Sequence, residues 1–260
     1  VLDERWIRSL HVESMRRADL HAEREPHVLF QASTIGALLD GAFDGDLSFA
    51  ELAEHGDLGL GTLNRLDGEM IALDGEFFRA DVDGYISWIP TEEKTPFAVV
   101  TRFDPDIEDR LEDDHSLEEI EAFLDSMTAG FESPSFAVRM DGIFNSIRLR
   151  SVPRQRPPYR PLAEVVADQH VFELEDVIGT MVGFRFPAWV EGIEVSGYHL
   201  HFITRDRSRG GHVLEASSDS IGVEIDLSAD LHIELPPAVE LADPGVALDT
   251  HAAIARAEGG

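Results

Sequence analysis

The sequence contains no cysteine and a single lysine, Lys94. The first absence excludes disulfides and thiolate metal ligands, so any metal must sit on His, Asp, Glu or backbone oxygen. No apolar run is long enough to cross a bilayer. The opening stretch "VLDERWIRSLHVESMRRADLHAEREPH" also lacks the apolar core of roughly 7–15 residues that a signal peptide needs, which leads us to expect a cytoplasmic protein. Residues 1–27 read as an arm or a short amphipathic helix around Trp6, Ile7 and Leu10.

Positive charge is scarce. Lysine and arginine number 21 against 51 acids, for a net charge of -30. Nucleic acid needs a basic footprint, so a DNA or RNA partner is not expected, and anionic membranes are disfavoured for the same reason. An acid-rich, lysine-poor surface suits a protein kept soluble in concentrated salt, where self-repulsion is screened. A coding bias toward arginine in an ordinary acidic protein accounts for the same composition.

What is present is a chain of 260 residues, 43% of them hydrophobic. That suffices for one large or two modest domains without covalent staples. Helical spacing appears in "TIGALLDGAF" and "LSFAELAEHG", the second opened by a possible capping box, Ser48 with Glu51. "GLGTLNRLDGEMIALDGEFFRAD" reads as strands broken at Asp67-Gly68 and Asp74-Gly75. "YISWIP" and "PFAVVTRF" read as further strands. "DPDIEDRLEDDHSLEEIEAFLDSM" takes a helical period, with a second capping box at Ser116 and Glu119 and an apolar stripe of Leu117, Ile120, Leu124 and Met127.

"FAVRMDGIFNSIRLRSV" looks like two strands joined at Asp141-Gly142. The proline-dense "PRQRPPYRP" marks a boundary near residue 155. Beyond it lie strands in "IGTMVGFRFP", "GIEVSGYHLHFIT" and "HVLEASS", then an apparent hairpin in "SIGVEIDLSADLHIELP" and a terminal helix in "ALDTHAAIARAEGG". The sum is an α+β protein of two domains, 1–154 and 155–260, each on a mixed or mostly antiparallel sheet with a few helices.

Three of the 11 histidines crowd into "SGYHLHFITRDRSRGGHVLE". His199 and His201 are two apart, so on a strand they face the same way. "TRDRSRGG" carries turn residues, so the next strand returns beside the first, and if His212 pairs opposite His201 it joins their face. Three nitrogens with an open position make a catalytic metal site. Read by spacing alone, the ordinary alternative of strand histidines that hold nothing stands level with it.

Other candidates are weaker by spacing. Glu69, just after Asp67-Gly68, is either aimed into a cleft or part of a hairpin turn. Arg148 and Arg150 share one strand face, as carboxylate binders or as surface arginines. Glu258 lies in a terminal segment. A cupin-type site would place a glutamate three or four residues after His-x-His, where Thr204 and Arg205 stand. Dinucleotide, Walker and Gly-x-Ser-x-Gly motifs are missing.

The stretches "GDLGLGTLNRLDGEM", "ALDGEFF", "TPFAVVTRF", "RSVPRQRPPY" and "SGYHLHFITRDRSRGGHVLE", in this order, resemble the α-acetolactate decarboxylase family from about Leu29 to the C-terminus. The resemblance implies one Zn²⁺ on His199, His201 and His212, and a glutamate at the metal, here Glu69. It implies an active-site arginine matching Arg150 better than Arg148, a tail glutamate folding back to the zinc, here Glu258, and Thr62 as a pocket residue. It further implies a two-domain fold that dimerises through its N-terminal sheet. The reaction implied converts 2-hydroxy-2-methyl-3-oxobutanoate to acetoin through a zinc-stabilised enediolate, protonated by Glu69 or Glu258, with no organic cofactor. Another zinc lyase or hydrolase on the same scaffold, and a non-enzymatic acidic metal-binding protein, remain open at this stage.

If the acidity serves a salt-loaded environment, dialysis into dilute buffer should unfold the chain and molar salt should restore its circular dichroism. Full structure in dilute buffer would count against that reading.

Overall fold

A computed structural model describes residues 11–15, 26–131 and 135–235, the first of these as backbone only. In chain order the strands are β1 (His11–Met15), β2 (Val28–Ala32), β3 (Leu47–Ser48), β4 (Leu58–Thr62), β5 (Glu69–Leu73), β6 (Glu76–Ala80), β7 (Ile86–Trp88), β8 (Lys94–Thr95), β9 (Phe97–Thr101), β10 (Ile107–Ser116), β11 (Ser135–Ser151), β12 (His170–Phe186), β13 (Gly197–Thr204), β14 (Gly210–Ser228) and β15 (Asp230–Glu234). The helices are α1 (Ile35–Leu39), α2 (Phe49–Leu52), α3 (Leu117–Thr128) and α4 (Leu162–Val165).

Two large sheets result. An eight-stranded mixed sheet runs β1-β15-β2-β9-β4-β5-β6-β7, with β1, β15 and β2 parallel and the rest antiparallel. An antiparallel sheet runs β10-β14-β11-β12-β13, and β13 also pairs with β14, so four of its five strands close into a ring. Mixed sheets with few helices are what composition and period led us to expect.

The central strands β2, β4, β5 and β9 are buried on both faces, so they read as near-continuous apolar runs. Leu60, Ile71, Leu73, Phe97 and Val99 face a core shared with Ala137, Val182, Phe184 and Ile203 of the second sheet. Met70, Ala72, Ala98 and Val100 face the other way, against Phe49 and Leu52 of α2. Each such side chain, fully buried, contributes on the order of 1.5–3 kcal/mol of transfer free energy. Gly59 is required by close approach, since a Cβ there would lie 2.1 Å from the Val99 carbonyl oxygen on β9. Helix α3 caps the second sheet through Ile120 and Leu124, leaving Glu118, Glu119 and Asp125 exposed and Glu121 partly buried, and both expected capping boxes form. Asp74 and Gly75, with φ of 56° and 77°, make the two-residue turn predicted between β5 and β6.

Five expectations change. Asp141-Gly142 is no turn: β11 runs straight through it, with Gly142 in register with Gly179 and Ile221. The glycine is there because a Cβ would sit 2.2 Å from the Ser220 oxygen. The apparent hairpin in "SIGVEIDLSADLHIELP" divides between sheets, β14 joining the second and β15 the first. Alternation reports faces, not partners. Ile107–Ser116, read with the helix, is strand β10 against β14. Between β4 and β5 the chain makes a longer excursion, with Arg65 and Leu66 at positive φ, rather than a turn at Asp67-Gly68. Within the N-terminal arm, His11–Met15 is a strand beside β15, and the rest of residues 1–25 lies outside the described residues, as does the terminal helix.

The sheets also do not divide at residue 155. β10 and β11 precede it yet build the second sheet, and β15 follows it yet builds the first. The proline-rich stretch is pinned to the first half, with Gln155 N donating to Arg65 O at 2.7 Å and Tyr159 Oη to Asp44 at 2.7 Å. Proline stiffens this segment against the core instead of marking a hinge. Among the described residues, no helix is long and apolar enough to cross a membrane.

His27, just before β2, ties the sheets together, its Nδ1 lying 2.7 Å from Oδ1 of the buried Asp226 on β14. Burial pulls the His27 imidazolium down, but the hydrogen bond and charge of Asp226, aided by Asp106 and Asp104, outweigh it and raise the pKa above 6.5. Burial pushes the Asp226 carboxyl up to about 6, against the opposing bonds from His27 and the Asp104 backbone. Both folded values are raised, so both contributions are present at low pH and fade as pH climbs through them. We therefore expect His27→Ala to destabilise more at pH 6 than at pH 9. Equal losses in denaturant melts at the two pH values would remove the tie.

Candidate active site

The three histidines meet because β13 and β14 pair as the turn residues suggested. His201 is in register with His212, and His199 lies two residues back on the same face of β13. The return is held by Asp206, which accepts from Thr204 Oγ1 at 2.7 Å and from Ser208 N at 3.0 Å. All three rings are buried, with centroids 5.2–5.3 Å apart. One ring nitrogen of each lies within 4.8 Å of the others.

His201 Nδ1 lies 2.8 Å from the carbonyl oxygen of Met70 on β5. A carbonyl only accepts, so Nδ1 carries the proton and Nε2 keeps its lone pair. Burial, and then the neighbouring His199, hold the His201 pKa well below 6.5. A neutral imidazole with a free lone pair is the ligand form for a divalent ion, and three of them fit a zinc-type donor set.

The eight-stranded sheet supplies the carboxylate. Glu69, the first residue of β5, is buried, with Oε2 3.8 Å from His201 Nε2 and Oε1 3.8 Å from Nη1 of Arg150. Thr62 pairs with Glu69 across the strand ends and donates its hydroxyl to Gly68 O at 2.8 Å, which shapes the excursion between them. Arg150 on β11 is buried and in register with His212. Arg148 shares that face of β11, two residues back, but it is half-buried and bonded to Glu215 instead of lining the pocket. The register of β11 against β14 slips between Arg148 and Leu149, which leaves Glu215 opposite Arg148 and His212 opposite Arg150.

Thr62, Glu69, Arg150, His199, His201 and His212 thus line one pocket. Glu258 lies outside the described residues. The sequence reading missed the apolar wall of Ile35, Leu38, Phe97 and Leu162, because these look like any core residues until the chain is folded. It also missed Glu194, a buried carboxylate whose Oε1 is 3.6 Å from His199 Nδ1. The only local signal was an acid in the otherwise apolar "GIEVSG".

Three buried imidazoles, a carboxylate and a guanidinium thus meet at the seam of the two sheets, a donor set able to hold a divalent ion beside a cationic group. Residues 29–244 match the family model described as alpha-acetolactate decarboxylase. The chain is 42% identical over 258 residues to the alpha-acetolactate decarboxylase of Methylococcus capsulatus, covering 99% of each chain. It is 48% identical over 209 residues to that of Methanosarcina mazei, covering 80% of this chain and 72% of the other. A crystal structure of alpha-acetolactate decarboxylase from Bacillus subtilis superposes with a TM-score of 0.84 at 37% identity, over 90% of this chain and all of that one. The chain belongs to the alpha-acetolactate decarboxylase family and is a decarboxylase.

Proposed function

We propose that this chain converts 2-acetolactate to acetoin in the histidine pocket, with Zn²⁺ held by His199, His201 and His212. The observation that carries the reading is the convergence of three buried imidazoles with Glu69 and Arg150 on one point between the sheets. The donor set supports a divalent ion of the zinc type, because burial holds His201 neutral and no thiolate exists in the chain. Bound there, the ion supplies Lewis acidity toward the ketone and hydroxyl oxygens of the substrate.

The chain's own residues account for the remaining steps. The Arg150 guanidinium, with five donors in a planar fork, engages the substrate carboxylate and turns it out of the carbonyl plane. That orientation aligns the carbon–carboxylate bond with the carbonyl π-system. The bond breaks, CO₂ leaves, and the electron pair passes onto the ketone as an enediolate. Ile35, Leu38, Phe97 and Leu162 exclude water, so the charge on Arg150 acts in a low-dielectric space and a carboxylic acid at Glu69 keeps its proton for transfer. Glu69, at the pocket, delivers the proton to one face of the former carboxyl-bearing carbon, which fixes the product's chirality. Glu258 is the alternative donor. The β-keto group is already an electron sink, so no organic cofactor enters the reading. A homodimer and a cytoplasmic location complete it, and sedimentation of the purified chain tests the first.

Replacing any of His199, His201 or His212 by alanine should abolish both zinc binding and acetoin formation, read by metal analysis and a colorimetric acetoin assay. Acetoin production by a metal-free triple variant would end this mechanism. Arg150→Lys should retain zinc but lose about 100-fold or more in turnover, since an ammonium cannot present the planar fork. Normal turnover in that variant would take Arg150 out of the site.

A further inference from the structure

Glu194 is 1% exposed, and the proposed reaction gives it no task. It lies in the turn that leads into β13, and that turn is held from several sides. Glu194 N donates to Val190 O at 3.1 Å, while the start of α1 donates from Ile35 N to Ile193 O at 2.9 Å and from Gly36 N to Gly192 O at 3.1 Å. The side chain of Gln31 on β2 adds a bond to Ile193 O at 2.7 Å. The carboxylate is thereby carried on a fixed backbone to within 3.6 Å of His199 Nδ1. Burying a carboxylate is costly unless it serves a partner, and the adjacent group is an imidazole edge.

We propose that Glu194 is a positioning residue for His199. Its charge favours the tautomer with the proton on Nδ1, which leaves the Nε2 lone pair for an ion, and its field orients the ring and raises its basicity. His201 receives the same service from the Met70 carbonyl at 2.8 Å, so two of the three rings are oriented from behind, one by a neutral acceptor and one by a charged one. The separation at Glu194 is longer than a hydrogen bond. Charge drawn from the ring on ion binding makes Nδ1–H a stronger donor and closes it. This inference rests on the three-histidine reading of the metal site.

The test is the affinity of the full-length chain for Zn²⁺, by competition with a chromophoric chelator, together with the visible spectrum of the Co²⁺-loaded protein. Glu194→Gln keeps the size and removes the charge, and should weaken zinc binding about 10–100-fold and shift the Co²⁺ bands. Glu194→Asp, charged but shorter, should recover part of the affinity. Thermal melts of the metal-free proteins separate loss of fold from loss of ligand quality, and if Glu194→Gln does not fold, the Asp variant carries the comparison. Zinc affinity and Co²⁺ spectrum unchanged in folded Glu194 variants overturn the proposal while leaving the histidine site intact. Zinc binding that survives loss of all three histidines overturns the underlying reading as well.

Discussion

One hydrogen bond carries a disproportionate share of the site's geometry: His201 Nδ1 to the Met70 carbonyl, at 2.8 Å across the seam between the two sheets. It satisfies a polar atom in a fully buried ring, fixes the tautomer, and turns Nε2 toward the other imidazoles. It also ties the ring to the strand that begins with Glu69, so the carboxylate and the histidines keep their separation only while the sheets stay in contact. That contact is apolar packing shared between them, with Ile71 and Val99 on one side and Val182 and Ile203 on the other. Polar precision here depends on hydrophobic burial, because a bond of about 0.5–1.5 kcal/mol cannot hold two sheets together by itself.

The charge of the chain and the charge of its pocket have opposite signs of purpose. A chain of net charge -30 repels a carboxylate substrate at long range in dilute buffer. At about 1 M salt the screening length falls to roughly 3 Å, and only groups in the pocket then act on the substrate. There the guanidinium of Arg150 stands among the imidazoles, walled by Ile35 and Leu38 of α1 and by Leu162 of α4. The proline-rich stretch that read as a boundary in the sequence connects two residues of that wall, Val152 and Leu162.

Much of the site was legible because strands impose a strict two-residue period. His199 and His201 had to share a face, and a glycine-bearing turn made the return of His212 natural. Both capping boxes were legible for a similar reason, since the bonds between Ser48 and Glu51 and between Ser116 and Glu119 span one helical turn. What failed involved long-range partners. The break expected at Asp141-Gly142 was misread because a glycine demanded by neighbouring strands looks like a glycine demanded by a turn. β14 and β15 were joined as a hairpin because adjacency in the chain does not say which sheet a strand enters. Ile107–Ser116 was read with the helix because its strand partner, β14, lies about a hundred residues further on.

The sequence by itself determined the available chemistry: nitrogen and oxygen donors only, an anionic surface, strand-rich architecture, and three histidines with the spacing to converge. Five ordered motifs also made its family readable. Only the tertiary structure decided that β10 and β11, though before residue 155, build the second sheet, that β14 and β15 enter different sheets, and that Glu194 comes up behind His199. Local periods are set by bonds between near neighbours and are written in the residues themselves. The partners of a strand are chosen by the burial of whole faces against each other, and that choice exists only once the chain has closed.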